Sequence, residues 1–183
     1  FSQGYRPDKI NQMGLGPEAL ADIRPGLVYV SINCYGADGP FSHRGGWEQI
    51  AQIMTGIAAE GVQSSSGYKP KTLPAAANDY ITGYLGAYGT LLALARRARE
   101  GGSYHVRVSL CQTGMMIYDQ GKVSALPENL NLGISDVESL CIESDSHLGR
   151  IKHLAPVLSL SETQPYWALP TPEMGSNNPR WLG

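Results

Sequence analysis

The chain has 183 residues, and its 14 lysines and arginines nearly balance its 16 aspartates and glutamates, which gives a formal net charge of −2. This length suits one domain with a sizeable core, and a chain that is 42% hydrophobic and 16% charged is too apolar to be disordered. Because no basic stripe accompanies the near-neutral charge, we expect no nucleic-acid partner.

The cysteines, the histidines and the apolar stretches argue against three further classes of protein. The chain has three cysteines, Cys34, Cys111 and Cys141, which are widely spaced and form no CxxC pair. We therefore expect reduced thiols in the cytoplasm rather than a disulfide framework or a zinc site. The 4 histidines form no HxxxH or HExxH pair, so we expect no metal. The longest apolar stretch, residues 84–95, is well short of the roughly 20 residues that span a membrane. We therefore expect no membrane partner, and also no secretory signal, because no charged segment followed by an apolar run opens the chain.

The first part of the chain predicts helix, strand and helix in that order. Residues 7–23 carry helix punctuation, with a break at Gly14 and Gly16. Residues 27–32 (LVYVSI) form a near-continuous apolar run, which is typical of a strand covered on both faces. Residues 48–59 predict a helix with one apolar face, formed by Ile50, Ile53, Met54 and Ile57.

The second part predicts a loop, a long helix, a strand and another helix. Residues 63–74 are polar and read as a loop. Residues 78–99 form the best helix, with apolar positions at Tyr84, Ala87, Tyr88, Leu91, Leu92 and Ala95. Residues 105–110 predict a second strand, which leads into a Met-rich helix over 111–122, and a proline-rich tail from His147 is expected to wrap a partner surface. This order favours an α/β fold with a parallel sheet.

Three glycines lie three residues apart along the long helix, at Gly83, Gly86 and Gly89. Glycine in a helix interior costs stability, so its repeated use needs a local reason. The spacing predicts the close approach of another backbone or of a ligand.

Two acidic residues are candidates for chemistry. Asp79 opens the long helix, where an aspartate most often caps the helix by accepting an orphan backbone N–H. The alternative is a carboxylate nucleophile whose charge is held by the helix N-terminus, with small neighbouring residues that leave room for a substrate. Glu48, taken alone, reads as a solvated acid in the first turn of its helix. Residue types alone do not choose between these interpretations.

Six segments of the chain match known motifs in their family order. They are residues 4–16 (GYRPDKINQMGLG), 27–40 (LVYVSINCYGADGP), 48–56 (EQIAQIMTG), 78–83 (NDYITG), 101–110 (GGSYHVRVSL) and 147–175. Together they resemble the class III CoA-transferases, the CaiB/BaiF family that includes formyl-CoA transferase and the α-methylacyl-CoA racemases. The resemblance implies a partial Rossmann-like parallel sheet with helices, belonging to the family's large domain, followed by an extended C-terminal tail.

The resemblance also implies a covalent mechanism. The segment at residues 78–83 is similar to the family's GDxxTG motif, so Asp79 is expected to be the nucleophile. In the family this aspartate attacks the acyl-CoA carbonyl to give a mixed anhydride, and the released CoA thiolate then attacks the anhydride to leave an aspartyl-CoA thioester. An acceptor carboxylate takes over the CoA by the reverse sequence. Glu48 corresponds by position to a family carboxylate close to the nucleophile.

Coenzyme A, arriving as an acyl-CoA substrate, is the expected ligand, with a carboxylic acid as the second substrate. Tyr5, Gln12 and Met13 fall at family positions near its nucleotide portion, and Arg44 supplies a positive charge one residue away from a family lysine position. Gln12 replaces a frequent arginine and Gly4 replaces a frequent asparagine, which are departures from the family's CoA contacts.

The chain is expected to be a fragment, since it opens at Phe1 and lacks the family's N-terminal segment and small domain. We assign residues 1–125 to the second half of the Rossmann-like core, and residues 126–183 to a linker and C-terminal tail that packs on the large domain or on a partner in an interlocked homodimer. One alternative is a racemase, disfavoured because Trp47 stands where racemases of the family carry histidine. The other is a truncated, non-catalytic subunit that binds CoA or only its dimer partner.

Overall fold

The computed structural model describes residues 1–60, 63–64, 67–73, 75–123 and 132–180. The chain divides into two units, Phe1–Val123 and Ser124–Gly183. The earlier assignment of residues 1–125 and 126–183 to a Rossmann half and a tail remains a prediction.

The described residues of the first unit form three parallel strands and five α-helices. In chain order these elements are β1 (Ser2–Gln3), α1 (Pro7–Gln12), α2 (Pro17–Ile23), β2 (Val28–Asn33), α3 (Glu48–Met54), α4 (Ala77–Glu100), β5 (Tyr104–Ser109) and α5 (Leu110–Tyr118). A 3₁₀ turn (Ile57–Glu60) and two short antiparallel strands, β3 (Gln63–Ser64) and β4 (Gly67–Tyr68), lie between α3 and α4.

The sheet has the order β1-β2-β5, and both pairings are parallel. Val30 pairs with Ser2 on one side and with Val106 on the other, which makes β2 the central strand. The first three residues of β2 are buried, which explains the continuous apolar run in its sequence. The predicted α/β class with a parallel sheet is therefore confirmed.

The buried face of α4 is not the face that the apolar spacing predicts. Thr82, Gly86 and Ala93 are buried, whereas the large side chains of the predicted face are more than half exposed: Tyr84, Tyr88, Leu91 and Leu92. The sheet presents valine side chains to this helix. Only small residues on the facing side of α4 allow the helix axis to pack close to these valines. We call the four exposed residues the α4 stripe.

Two of the three glycines of α4, Gly86 and Gly89, face valine side chains of the sheet rather than another backbone. A Cβ atom added at Gly89 would lie 2.7 Å from Val106 Cγ1, and one added at Gly86 would lie 3.6 Å from Val108 Cγ2. A Cβ atom at Gly83 would meet nothing within 4 Å. The prediction of a close backbone is therefore wrong at these glycines, and the prediction of a close ligand stays a prediction.

The predicted core face of α3 is also wrong for two of its residues. Ile53 is 57% exposed and Met54 is 47% exposed, whereas Glu48, Ala51 and Gln52 are buried. The helix turns a polar face inward because the first turn of α4 packs there and needs hydrogen-bond acceptors.

The second unit contains a 3₁₀ helix (Ile134–Leu140) and an antiparallel hairpin of β6 (Cys141–Ser146) and β7 (Gly149–Leu154). Across the hairpin, Arg150 Nε donates to Glu143 Oε2 at 2.7 Å. The sequence predicted only an extended tail in this region, and the hairpin was not predicted. Residues 155–180 contain no helix or strand. In the described residues of both units, no helix has the length and apolar character of a membrane span.

Candidate active site

The candidate site lies where β2 and β5 end. Both strands are parallel, so their carboxyl ends meet at one edge of the sheet, where α/β proteins bind ligands. Cys34 follows β2 directly and packs with Ala51 of α3 and Leu110 of α5 in one buried cluster. This packing brings α3 and α5 to the same edge, beside the start of α4.

Glu48 is a buried carboxylate that caps a helix other than its own. Glu48 is only 3% exposed, so the expectation that it is a solvated acid is wrong. Its Oε2 accepts the backbone N–H of Asp79 at 2.6 Å, and its Oε1 accepts that of Asn78 at 3.3 Å. These are orphan donors in the first turn of α4, and Glu48 satisfies them from α3.

Asp79 is the third residue of α4 and does not cap it. The N-cap position is Ala76, and no side chain of the helix itself makes the capping hydrogen bond. Among the described residues the Asp79 carboxylate accepts no hydrogen bond, and the residue is exposed. The capping role that an aspartate most often has at a helix start is filled by Glu48, which leaves the carboxylate of Asp79 free.

The pKa of Asp79 is raised above its ordinary value, first because burial of part of the side chain disfavours the charged form and second because the negative charge of Glu48 lies nearby. The positive end of the α4 dipole acts in the opposite direction on the carboxylate. The site thus holds an acidic group beside a second acid and a helix N-terminus, an environment typical of functional carboxylates.

Two thiols flank the site and are poor nucleophiles. Cys34 is buried, and its carbonyl accepts the backbone N–H of Cys111 at 2.8 Å. Burial raises the pKa of Cys34 to about 12, with further increases from the neighbouring Cys111 and from the charge of Asp79. Burial also raises the pKa of Cys111. Both thiols are therefore mostly protonated at neutral pH, which disfavours a thiolate nucleophile at this edge.

The residues just before α3 lie against Cys34. A Cβ atom at Gly46 would lie 2.5 Å from Cys34 Sγ, so this position has no room for a side chain. Trp47, at the position of the racemase histidine in the resemblance, is 61% exposed.

The four predicted CoA-binding residues are exposed on the β1–α1 segment and on the loop before α3. Tyr5 and Met13 are each 70% exposed, and Gln12 ends α1. The guanidinium of Arg44 lies over the ring of Phe41, 4.5 Å from its centroid. No hydrogen bond or ion pair joins any of the four to Glu48 or Asp79 within the described ranges. The structure therefore joins the two predicted catalytic residues directly, and the described residues show no such bond from the other four to this pair.

Several buried polar residues around the pair were missed. Gln52 Nε2 donates to Glu48 Oε1 at 2.5 Å, and Thr82 Oγ1 donates to Thr113 Oγ1 at 2.7 Å. Asn78 is fully buried, and neither polar atom of its side chain has a hydrogen-bond partner in the described structure. The i, i+4 spacing of Glu48 and Gln52 places them on one helix face, and this was the available signal for Gln52.

A cleft of about 440 Å³ opens at the same strand ends. Its lining includes Asn33 and Asp38 after β2, Arg107 on β5 and Gln112 on α5. Within the described part of the chain, Arg107 forms no ion pair, and no group of three histidine, cysteine, aspartate or glutamate residues is placed to hold a metal ion.

The fold and the site together define an α/β protein with a carboxylate pair at the carboxyl edge of a parallel sheet. The chain belongs to CoA-transferase family III, since residues 1–135 match the sequence model of that family. This match confirms the resemblance drawn from the motifs.

The relatives are named as CoA-transferases, and each is much longer than this chain. The chain is 39% identical over 110 residues to acetyl-coenzyme A transferase nodX of Hypoxylon pulicicidum, which covers 58% of this chain and 18% of the relative. It is 40% identical over 103 residues to succinyl-CoA:glutarate CoA-transferase of Mus musculus, covering 55% and 23% respectively. The crystal structure of a CAIB/BAIF family protein from Brucella suis matches with a TM-score of 0.59 and 27% identity over 65% of this chain and 31% of that one. The chain thus spans less than a third of the length of these relatives.

Proposed function

We propose that the protein is a CoA-transferase that moves CoA from an acyl-CoA to a carboxylic acid through an aspartyl-CoA intermediate on Asp79. The observation that carries this proposal is that Glu48, and not Asp79, caps the first turn of α4. Glu48 accepts the backbone N–H of Asp79 at 2.6 Å, so the Asp79 side chain has no capping role and is available for chemistry.

In the proposed reaction, an oxygen of the Asp79 carboxylate attacks the thioester carbonyl, the C–S bond breaks, and CoA leaves as a thiolate. The thiolate attacks the Asp79 carbonyl of the mixed anhydride and expels the donor acid as its carboxylate. The acceptor carboxylate then attacks the aspartyl-CoA carbonyl, and the released thiolate attacks the acceptor side of the new anhydride. Asp79 leaves as a free carboxylate, which closes the cycle.

The surroundings of Asp79 favour this chemistry. Partial burial weakens the solvation of the carboxylate, which makes it a better nucleophile once the acyl-CoA is bound against it. Backbone N–H groups near the glycine-rich strand ends are the natural donors for the developing oxyanion. We assign Tyr5, Gln12 and Met13 to the nucleotide portion of CoA, and Arg44 to CoA binding as a positive charge.

We also propose that the protein works in the cytoplasm as a homodimer. Its three cysteines are free thiols, in keeping with a reducing compartment. The α4 stripe is a contiguous apolar surface within the first unit, of the kind that marks a protein interface. We take a second copy as its occupant, because the family resemblance implies an interlocked homodimer. In that assembly residues 1–125 contribute part of the Rossmann-like core and residues 126–183 the linker and tail.

The test is a transfer assay on the full-length protein with succinyl-CoA as donor and glutarate or L-malate as acceptor, since relatives in Mus musculus and Chloroflexus aurantiacus are named for these substrates. Asp79→Asn is expected to lower kcat by roughly a thousandfold or more, because it removes the nucleophile. Asp119→Asn, at an exposed acid after α5, is the matched control and retains activity. Equal activity of the two variants contradicts the proposal, and deuterium exchange at Cα of a 2-methylacyl-CoA without transfer indicates a racemase instead.

A further inference from the structure

Gln52 is buried at a place where its helix leaves large apolar residues exposed. Its side chain is 1% exposed, whereas the adjacent Ile53 is 57% exposed. A buried amide is unfavourable unless its donor and acceptor atoms both have partners. The selection of a glutamine for the inner face of α3 therefore points to a specific hydrogen-bonding task.

The two hydrogen bonds of Gln52 fix which way its amide faces. Its Oε1 accepts the backbone N–H of Leu73 at 2.7 Å, and a backbone N–H can only donate. The NH₂ group must therefore face Glu48, where it donates to Oε1 at 2.5 Å. Gln52 thus links the segment that precedes α4 to the carboxylate that caps α4.

This link sets the rotation of the Glu48 carboxylate. With Oε1 held by Gln52, Oε2 is directed at the backbone N–H of Asp79, 2.6 Å away. Among the described residues, the hydrogen-bond partners of the Glu48 carboxylate are all donors: Gln52, Asn78 and Asp79. The carboxylate therefore serves as an acceptor, and Gln52 holds it in the orientation in which its other oxygen reaches the backbone N–H of Asp79.

We propose that Gln52 is a positioning residue for CoA transfer, which acts through Glu48 to hold the first turn of α4 and hence the Asp79 carboxylate in its reactive place. This inference rests on the proposed function of Asp79. Gln52 itself touches no reacting atom, and its effect on rate comes from the sensitivity of a covalent attack to the position of the nucleophile.

The decisive variant is Gln52→Glu, which keeps the shape of the side chain but places a carboxyl oxygen against Glu48 Oε1. Two carboxyl groups at that distance must share a proton, so the contact survives at low pH and is lost as the pH rises. The other titratable groups at this junction are Asp79 on α4 and the thiols of Cys34 and Cys111, whose raised pKa values keep the thiols neutral at neutral pH. The transfer rate of this variant should therefore fall as the pH rises toward 8, a decrease that the wild-type rate does not show.

We expect Gln52→Glu to transfer CoA at near the wild-type rate at the acidic end of the profile and roughly tenfold or more slowly at pH 8. Gln52→Met, of similar length and without hydrogen bonds, should be slow at every pH. Gln49→Glu adds the same charge on the exposed side of α3 and should follow wild type. The inference is overturned if the transfer rate of Gln52→Glu depends on pH as the wild-type rate does. It is also overturned if the rate of Gln49→Glu falls at pH 8 in the same way.

Amide hydrogen exchange separates this inference from the proposed function. If wild type transfers no CoA, the proposed function fails, and the exchange rates of the Asn78 and Asp79 amides still test Gln52. Faster exchange of these two amides in Gln52→Glu than in Gln49→Glu, at pH 8 and not at acidic pH, supports the positioning role. Equal exchange in the two variants at pH 8 contradicts it.

Discussion

At the start of α4 the helix is capped by Glu48 of α3, and the carboxylate of Asp79 takes no part in the capping. Glu48, 3% exposed, accepts the backbone N–H groups of the first turn of α4. Asp79 keeps its carboxylate free, in surroundings that raise its pKa through burial and through repulsion by Glu48. Because the charged form of Asp79 is disfavoured in the folded protein, its ionisation lowers stability at neutral pH.

The raised pKa of Asp79 predicts an acid limb in the transfer rate. In the proposed mechanism the carboxylate is the nucleophile, so we expect the rate to fall as the pH drops through a pKa that lies above the ordinary value for aspartate. Glu48→Gln removes the repelling charge, lowers the pKa of Asp79 and should move the limb to lower pH, while reducing the maximal rate because the cap is weakened. A pH profile of kcat at saturating substrate measures both effects. An acid limb that stays in place in Glu48→Gln shows that Glu48 does not act on the charge of Asp79.

Cys34 should be unreactive in the folded protein. Its pKa is raised to about 12 by burial and by neighbouring groups, so very little thiolate is present at pH 8, and its side chain is shielded from solvent. We expect iodoacetamide to label Cys34 at least tenfold more slowly in buffer than in concentrated urea, as measured by peptide mass spectrometry. Similar rates in the two solvents contradict the burial of this thiol.

Helix α4 packs on the sheet through its small residues, and its two outer glycines test that packing. Gly89 lies against Val106, where a Cβ atom would be 2.7 Å from Cγ1, while a Cβ atom at Gly83 meets nothing within 4 Å. Gly89→Ala should destabilise the fold by roughly 1–3 kcal/mol through overpacking. Gly83→Ala should stabilise it by about 0.5–1 kcal/mol, because alanine is the better helix former.

Urea unfolding of the two alanine variants measures this difference directly. Both substitutions add one methyl group to the same helix, so each serves as the control for the other. Equal shifts of the unfolding midpoint contradict the close packing of α4 on β5.

The positions of helices and strands were more predictable than the faces that they bury. The long helix was predicted at 78–99 and runs over Ala77–Glu100, because its composition and the following glycines mark it clearly. Its buried face was mispredicted, since apolar spacing identifies the stripe with the largest side chains and the sheet accepts only the small ones. The hairpin of β6 and β7 was missed because polar and charged residues dominate both strands.

The candidate site was predicted in part. Family motifs named Asp79 and Glu48, which the structure joins through a backbone hydrogen bond. Gln52 and Asn78 were not recognised, because their burial follows from the docking of α3 against the start of α4. The i, i+4 spacing places Gln52 on the same helix face as Glu48, but it does not show that this face is buried. The roles assigned to all of these residues remain predictions.

The molecule as a whole carries a large apolar surface on α4. The α4 stripe is more than half exposed at each of its four residues, and the chain spans less than a third of the length of its relatives. If a second copy covers this stripe, a charge placed in its centre should weaken assembly, because burying an unpaired carboxylate is strongly unfavourable.

We therefore expect Tyr88→Glu to shift the full-length protein from dimer toward monomer, as measured by light scattering after gel filtration. Gln49→Glu, which adds a carboxylate to an exposed site on α3, should leave the dimer intact. A Tyr88→Glu protein that remains dimeric at low micromolar concentration removes the α4 stripe from the interface.

The most direct test of the account is to locate the covalent intermediate. The full-length protein is incubated with succinyl-CoA, quenched with hydroxylamine, digested and analysed by mass spectrometry. The account predicts a hydroxamate on Asp79, formed from the anhydride or the aspartyl-CoA thioester, and its loss in Asp79→Asn but not in Asp119→Asn. A hydroxamate on another residue, or one that persists in Asp79→Asn, would contradict the assignment of Asp79 as the nucleophile.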